Sequence, residues 1–181
     1  GIEIMVGGLG FMHLMIISGS VFGTANLVAG EAQTLLGNAG VQVTRLQPLT
    51  LDALLALAPD ALLVCTSTTG MGELPDALVP LFHEMRDRFP LLTGKPFGVI
   101  ALGDSAYGDT FCMAGEQFRE LLLRFRGNDP VYFTFRRDAD NAKAGPFRCA
   151  SHLRVRGGDE LKEALIELFG PSTKVRIGAV R

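Results

Sequence analysis

The chain has 181 residues, of which 48% are hydrophobic and 20% charged, and its formal net charge is −2. A chain of this length is most simply one domain with a substantial core. A charge so close to neutral excludes a protein held to nucleic acid or to a membrane surface by overall charge alone, and we predict neither partner.

Cysteine content indicates the compartment. The chain has three cysteines, Cys65, Cys112 and Cys149, and no CxxC motif. An odd, sparse set of this kind favours a reducing compartment over a disulfide framework. We therefore predict a cytoplasmic protein.

The longest apolar stretch lies near the N-terminus, where Glu3 and His13 interrupt it and no basic segment precedes it. Such a stretch is typical of neither a signal peptide nor a membrane span. We predict that residues 1–11 are a leader or an N-terminal extension and that residues 12–181 form a single domain.

Strand-like and helix-like segments alternate along the chain. Short apolar or β-rich runs predict strands at residues 12–17, 41–46, 60–66, 95–102 and 131–135. Apolar residues at helical spacing predict helices at residues 23–37, 51–57, 75–89, 113–125 and 159–169. This alternation predicts an α/β fold with a doubly wound parallel sheet of five strands, in the order 2-1-3-4-5, and with helices on both faces. Ligands bind such sheets where the strand order reverses, here between the first and third strands.

One basic region departs from this alternation. Between residues 124 and 156 there are eight Lys or Arg and three Asp. Residues 136–157 lack clear periodicity, and we interpret them as an insertion after or within the fifth strand. The region is either a solvated basic face or a docking patch for an acidic partner.

The first loop of interest follows the first strand and covers residues 18–24. The hydroxyls of Ser18, Ser20 and Thr24 can converge on one anion, and Gly19 and Gly23 let the backbone approach it. Because the loop contains no Lys or Arg, a bound phosphate would be held by neutral donors alone. The alternative is a small-residue turn that only caps the helix.

The second loop follows the third strand and covers residues 66–76. Its hydroxyl residues are Thr66, Ser67, Thr68 and Thr69. Gly70 and Gly72 allow positive φ angles and peptide rotation, and Met71 is an exposed side chain suited to lie on an aromatic ring. The alternative is a solvated turn before a helix that Asp76 caps, but the density of small polar residues favours a binding loop.

The third loop follows the fourth strand and covers residues 103–112. Tyr107 lies between small residues at the tip, where its ring can stack on a flat ligand. The alternative is a tyrosine folded back on the surface. Phe111 and Cys112 fit packing better than ligand contact, and no basic neighbour in sequence lowers the pKa of the Cys112 thiol.

Other common sites are not supported. His13, His83 and His152 have neither metal-ligand spacing nor a triad pattern. No GxGxxG follows a strand and no GxxxxGK[ST] is present, so the sequence predicts neither a dinucleotide site nor a Walker-type site.

With the three loops in this order, the chain resembles the flavodoxin family. The matching stretches read ISGSVFGTA, TSTTGMGELPDALVPL and ALGDSAYGDTFC, and the similarity extends over residues 12–125. The chain is similar to the short, MioC-like members and to the flavodoxin-like domains of diflavin reductases. The insertion at residues 136–157 resembles instead that of a long-chain flavodoxin.

The resemblance implies a non-covalent FMN and no metal. Ser18, Ser20 and the backbone of residues 19–24 would hold the phosphate, and residues 66–72 would line the ribityl chain and one ring edge. Tyr107 would stack on one ring face and Met71 would cover the other, while the peptide near Gly70 and Gly72 would rotate to accept a hydrogen bond from the reduced ring. The full cofactor-binding set implied by the resemblance is Ser18, Gly19, Ser20, Val21, Phe22, Gly23, Thr24, Thr66, Ser67, Thr68, Thr69, Gly70, Met71, Gly72, Leu102, Gly103, Asp104, Tyr107, Gly108, Thr110, Phe111 and Cys112.

The family's function follows as an expectation. The resemblance implies a monomeric electron carrier, with no catalytic residues of its own, that takes electrons from a donor like ferredoxin/flavodoxin-NADP reductase and passes them to redox acceptor proteins. Partners would touch the exposed flavin edge, around Met71, Glu73, Asp76, Asp104, Tyr107 and Asp109. An FMN-dependent NAD(P)H:quinone reductase-type enzyme is the alternative, and a flavin-free interaction module is the third reading. One departure is that the family's third phosphate-loop hydroxyl falls at Gly23, with Thr24 one place later.

Overall fold

The computed structural model describes residues 2–5, 13–92, 95, 97–103, 105–110, 112–125, 132–138, 147–149, 154–155 and 174–177. Side chains are described at residues 13–92, 95, 97–103, 108–110 and 112–125. The strands are β1 (Ile2–Met5), β2 (His13–Gly19), β3 (Gln42–Arg45), β4 (Ala61–Ser67), β5 (Phe97–Gly103), β6 (Tyr132–Asp138), β7 (Phe147–Cys149), β8 (Arg154–Val155) and β9 (Lys174–Ile177). The helices are α1 (Thr24–Asn38), α2 (Leu51–Leu57), α3 (Val79–Arg88) and α4 (Met113–Arg124), with a short 3-10 segment at Ser105–Thr110.

The centre of the fold is a parallel sheet. Strands β3, β2, β4 and β5 lie side by side in that order, all parallel, which confirms the predicted order 2-1-3-4. β6 runs parallel beside β5, and β7 and β8 continue the sheet antiparallel. β1 and β9 form a separate antiparallel pair.

Helices cover both faces of the sheet. Alternate residues of a strand point to opposite faces, so Leu14 and Ile16 pack with α1, whereas Met15 and Ile17 pack with α2, α3 and α4. β4 and β5 are buried almost throughout, as expected for strands covered on both sides. This layering leaves the loops at the carboxyl edge free to form a site.

The helix α4 buries the apolar residues that recur at helical spacing in its sequence. Phe118, Leu121, Leu122 and Phe125 are all buried, and the Phe118 ring meets Phe82 edge-on with centroids 5.2 Å apart. In α1, by contrast, the apolar side chain of Leu27 is 71% exposed. The buried residues of α1 are Ala25, Val28, Ala29, Ala32 and Leu36, so three of the five are alanines.

The third helix begins later than predicted. We expected it to start at residues 75–76, but α3 begins at Val79 after a turn, and Leu78 occupies the cap position without a side-chain hydrogen bond. Proline lacks an N–H and is tolerated in the first helical turn only. Pro80 therefore excludes a start at residue 75 or 76. The predicted helix at residues 159–169 lies outside the described residues.

None of the helices in the described part of the chain is long and apolar enough to span a membrane.

Candidate functional site

Three loops meet at the carboxyl edge of the sheet because the strands that precede them are parallel neighbours. β2 ends at Gly19, β4 at Ser67 and β5 at Gly103. In open parallel sheets this edge is where ligands bind. The structure thus places the starts of the three predicted loops side by side.

The first loop turns sharply into α1. Gly23 has a φ of +93° and occupies the cap position of α1, a conformation that residues with a Cβ rarely adopt. Ser20 Oγ accepts hydrogen bonds from the N–H of Gly23 (2.9 Å) and of Ala25 (3.2 Å). Ser20 therefore caps the start of the helix, as the alternative reading proposed. Since both oxygen lone pairs are then used, its hydroxyl proton remains a donor.

Other side chains of the first loop face solvent. Phe22 is 95% exposed and Val21 is 47% exposed, and Thr24, the first residue of α1, is also exposed. Gly19 is buried, and a Cβ on it would lie 2.4 Å from Leu78 Cγ. Glycine at this position lets the turn before α3 pack directly against the end of β2.

A hydrogen bond joins the first loop to the second. The N–H of Val21 donates to Ser67 Oγ at 3.2 Å. The two residues are 46 positions apart in the sequence, and the bond fixes the first loop to the end of β4.

The second loop contains a tight turn. Thr69 and Glu73 exchange backbone hydrogen bonds, of 3.0 Å from the Thr69 N–H and 2.7 Å from the Glu73 N–H. Gly70 (φ +52°) and Gly72 (φ +91°) adopt the positive φ angles predicted for them. Met71 lies at the tip with 84% of its surface exposed, so the expected exposure of this side chain is confirmed.

The same turn rests against the third loop and α4. Gln117 Nε2 donates to the Gly72 carbonyl at 2.7 Å. A Cβ built on Gly72 would lie 2.8 Å from Met113 Cβ and 3.5 Å from Thr110 Cβ. The second and third loops are therefore in contact, and Gly72 leaves no room for a larger residue.

The hydroxyls of the second loop differ in their surroundings. Thr66 is fully buried and its Oγ1 donates to the Ser67 carbonyl at 2.9 Å, so it stabilises the loop itself. Thr68 Oγ1 is buried and has no hydrogen-bond partner within the described part of the chain. A buried hydroxyl left without a partner costs about 1–3 kcal/mol, and a polar ligand contacting this loop would remove that cost.

The third loop is described in part. Its 3-10 segment is kinked at Gly108, whose φ is +58°, and Thr110 is half-buried. Cys112 is fully buried and its thiol donates to the Ala101 carbonyl at 3.3 Å, which fits the packing role expected for it. Leu102 and Gly103 are buried in β5. Asp104, Phe111 and the side chain of Tyr107 lie outside the described residues.

The structure adds a cation that the sequence reasoning missed. Arg45 Nη2 donates to Ser18 Oγ at 2.7 Å, because β3 pairs with β2 in a register that sets Arg45 opposite Ile16. The prediction that neutral donors alone would hold a phosphate at the first loop considered only the loop's own residues and did not include Arg45. The signal was the alternation of residues 41–46, which puts Arg45 on the same strand face as the inward-packed Val43.

Burial determines the pKa of the second thiol near this edge, that of Cys65. Desolvation raises the pKa of Cys65 to about 12, and the positive charge of Arg45 opposes that rise in part. The Cys65 thiol is therefore neutral at physiological pH and is a packing group of β4.

The exposed rim of the second and third loops is acidic, with Glu73, Asp76 and Asp109 at the surface.

Comparison with known families identifies relatives for most of the described core. The family model named Flavodoxin matches residues 16–152. The uncharacterized protein PA3435 of Pseudomonas aeruginosa is 59% identical over 111 residues, which cover 61% of this chain and 74% of that protein. Flavodoxin YqcA of Escherichia coli is 42% identical over 107 residues, covering 59% of this chain and 71% of that protein.

Solved structures of flavodoxins are also similar to this chain. A cysteine-to-serine mutant of flavodoxin from Pseudomonas aeruginosa has a TM-score of 0.67 and 52% identity, covering 73% of this chain and 88% of that one. Fusobacterium nucleatum flavodoxin bound to flavin mononucleotide has a TM-score of 0.55 and 20% identity, covering 67% of this chain and 70% of that one. The second likeness concerns the fold alone.

Proposed function

This chain belongs to the flavodoxin family, and we propose that it binds FMN and carries electrons between other redox proteins rather than converting a substrate of its own. The proposal takes β6 as the fifth parallel strand of the family's sheet. We expect the three loops at the switch point of the sheet to surround the cofactor together.

The observation that carries this proposal is a pair of hydrogen bonds that hold the loops in place at this edge. The Val21–Ser67 hydrogen bond joins the first loop to the second, and the Gln117–Gly72 hydrogen bond joins the second to α4 beside the third. A flat ligand with a charged tail needs such a rim, because its phosphate and its ring must be held several ångströms apart by separate loops.

The first loop fits a phosphate group. The N-terminus of α1 provides positive potential and first-turn N–H groups that the helix itself does not bond, and Ser20 retains a hydroxyl proton to donate. Arg45, held against Ser18, adds a positive charge beside this loop. These groups supply both hydrogen bonds and charge for a dianion.

The second and third loops fit the ring. Thr68 would gain the hydrogen-bond partner that it lacks, Met71 would lie over one ring face, and Tyr107 would stack on the other. When bound, FMN supplies the redox chemistry. The chain's contribution is to hold the ring, to exclude water from its faces and to leave one edge open to partners.

The exposed rim fits transient protein partners. Met71 and Phe22 offer exposed apolar surface, and Glu73, Asp76 and Asp109 make the surroundings acidic. An acidic rim steers a basic partner and makes association salt-dependent. A donor like ferredoxin/flavodoxin-NADP reductase with a basic docking face meets this requirement.

A reconstituted electron-transfer assay tests the proposal. The full chain, loaded with FMN, is mixed with NADPH, a flavodoxin-NADP reductase and cytochrome c as acceptor. We expect cytochrome reduction to depend on the chain and to slow as salt is added, while the chain alone leaves NADPH unoxidised. Steady NADPH oxidation by the chain and FMN alone would instead identify a flavin enzyme.

A further inference from the structure

Arginines occupy matching positions on three neighbouring strands of the sheet. Arg136 in β6 lies opposite Arg148 in β7, and Arg148 lies opposite Arg154 in β8. Directly opposite residues of antiparallel strands share one face of the sheet, and their Cα atoms are about 4.5–5.5 Å apart. The three residues therefore form a row about 10 Å long across the strands, which we call the arginine row.

The opposite face of the same strands is apolar. Phe135 lies opposite Cys149. One strand further out, Phe147 lies opposite Val155. Because successive residues of a strand alternate between its two faces, these four residues are not on the face of the arginine row. Phe135 also pairs with Ile100 of β5, which belongs to the core cluster under α1. The apolar face is thus on the α1 side of the sheet.

The arginine row begins beside α4. Arg136 pairs with Ala101 of β5, and a Cβ on Gly115 of α4 would lie 2.2 Å from Ala101 Cβ, so the row is on the face that α4 covers. Helix α4 packs over β4, β5 and β6, and β7 and β8 are the next two strands outward. The row therefore runs from the strand beside α4 to the outermost strand of this sheet.

Positive charge dominates this face of β6, β7 and β8. Asp138, two positions after Arg136, is on the same face and is the one acidic residue in the three strands. Like charges at directly opposite positions destabilise a sheet, and arginine is almost never fully buried unless it is paired. The arginine row therefore requires either a face that is open to water or an anionic partner that neutralises it.

We propose that the arginine row is a docking surface for an acidic helix of a partner protein. Residues four apart on a helix are about 5–6 Å from each other, so carboxylates at i, i+4 and i+8 match the spacing of the three arginines. Arginine also pairs with carboxylates in bidentate geometry.

Single-stranded nucleic acid fits this surface less well. Its bases stack on aromatic rings beside the positive charges, whereas Phe135 and Phe147 are on the other face of the sheet from the arginine row. The surface is also separate from the three loops that would hold FMN, so the docking proposal does not depend on the cofactor.

The test measures the binding of a labelled, alanine-based helical peptide to the full chain by fluorescence anisotropy. The peptide has glutamates at positions i, i+4 and i+8, and a control peptide has lysines there. We expect saturable binding of the glutamate peptide and none of the lysine peptide. Binding should weaken steeply as salt rises from about 0.01 M to 1 M, because the screening length falls from about 30 Å to about 3 Å. Absence of glutamate-peptide binding at low salt would overturn the proposal.

Three glutamine variants locate the binding surface. Arg148→Gln removes the middle charge of the row and should weaken the glutamate peptide about threefold to fivefold, as for a lost exposed ion pair. Arg154→Gln should weaken it as well. The matched control is Arg137→Gln, which removes an equal charge beside Arg136 but on the other face of β6, and it should leave the affinity almost unchanged. Equal weakening in Arg137→Gln and Arg148→Gln would overturn the proposal, because affinity would then follow net charge alone.

Urea unfolding gives a readout that does not rest on affinity. Because Arg148 lies opposite two other arginines, Arg148→Gln should leave the urea midpoint equal to or above that of the unmodified chain. The glutamate peptide should raise the midpoint of the unmodified chain more than that of the variant. Equal increases in the two proteins would overturn the proposal.

A four-base thymidine oligonucleotide, which has three phosphates, tests the other occupant. We expect it to bind less tightly than the glutamate peptide at the same salt concentration. Tighter binding of the oligonucleotide, weakened by Arg148→Gln, would identify nucleic acid as the occupant and overturn the proposed protein partner.

Discussion

Gly72→Ala tests the way in which the second loop is held against the third. The φ of +91° at Gly72 is strained for alanine, at a cost of about 1–2 kcal/mol. The new methyl group would also lie 2.8 Å from Met113 Cβ and 2.9 Å from Met113 Cγ, and overpacking of this kind costs about 1–3 kcal/mol. We expect the free energy of unfolding to fall by about 2–5 kcal/mol. The loss cannot exceed the cost of detaching the loop from α4, because detachment removes both the strain and the collision.

Two glycine variants separate strain from collision. Gly23 has a similar φ of +93°, but a Cβ there meets nothing within 4 Å, so Gly23→Ala should cost only the ~1–2 kcal/mol of backbone strain. Gly37 lies in α1 with nothing within 4 Å of its Cβ position and no positive φ, so Gly37→Ala should stabilise the chain by up to ~1 kcal/mol.

The measurement is urea unfolding of the three variants without cofactor, followed by an FMN titration. Gly72→Ala should lose the most stability and should also bind FMN more weakly, because the displaced turn carries Met71 and Thr68. Equal losses in Gly72→Ala and Gly23→Ala, with unchanged FMN affinity, would refute the contact between the loops as the reason for glycine at position 72.

Three further predictions follow from single groups at this edge. Ser67→Ala removes the acceptor for the Val21 N–H and should lower FMN affinity severalfold in a fluorescence titration, whereas Thr34→Ala, in an exposed side-chain hydrogen bond within α1, should not. Tyr107→Ala should weaken FMN by about 1 kcal/mol or more, the value of a stacking contact, and unchanged affinity would mean that its role is misassigned. Burial raises the pKa of Cys65 to about 12 from an ordinary value of 9.0, so this thiol ionises at a lower pH in the unfolded chain and stability should fall as pH rises from about 9 towards 12. In urea unfolding, the midpoint should fall less over this pH range for Cys65→Ala than for the unmodified chain. An identical fall in the two proteins would contradict the assignment.

Much of the fold follows from local patterns. The inward faces of β4, β5 and α4 carry large apolar residues at regular spacing, so their burial is predictable from the sequence. The α1 face is harder, because alanines such as Ala29 and Ala32 pack inward while Leu27 points to solvent. Small residues bury little area each, and a pattern weighted by hydrophobicity undervalues them.

Some features of the candidate site can likewise be predicted from the sequence, whereas others cannot. The positions of Gly70 and Gly72 and the exposure of Met71 are local properties of a turn, and the sequence predicts them. The approach of Arg45 to Ser18 depends on the register of two strands that are distant in sequence, and no local motif contains it. The start of α3 was predictable in principle, because Pro80 limits where the helix can begin, but the prediction placed the start at Pro75 and Asp76.

The capping of α1 shows why a motif alone leaves the function of a loop open. Ser20 binds the N–H groups of Gly23 and Ala25, as it would in a turn without a ligand. The joined loops around it distinguish the two cases, since a simple capping turn has no need of a hydrogen bond to Ser67.

An FMN titration of the purified full chain tests the central claim most directly, with flavin fluorescence and the visible absorption spectrum as readouts. The account predicts saturable uptake of one FMN per chain, quenched fluorescence and a yellow protein after gel filtration. A protein that stays colourless, with flavin fluorescence unchanged in the presence of excess FMN, would contradict it.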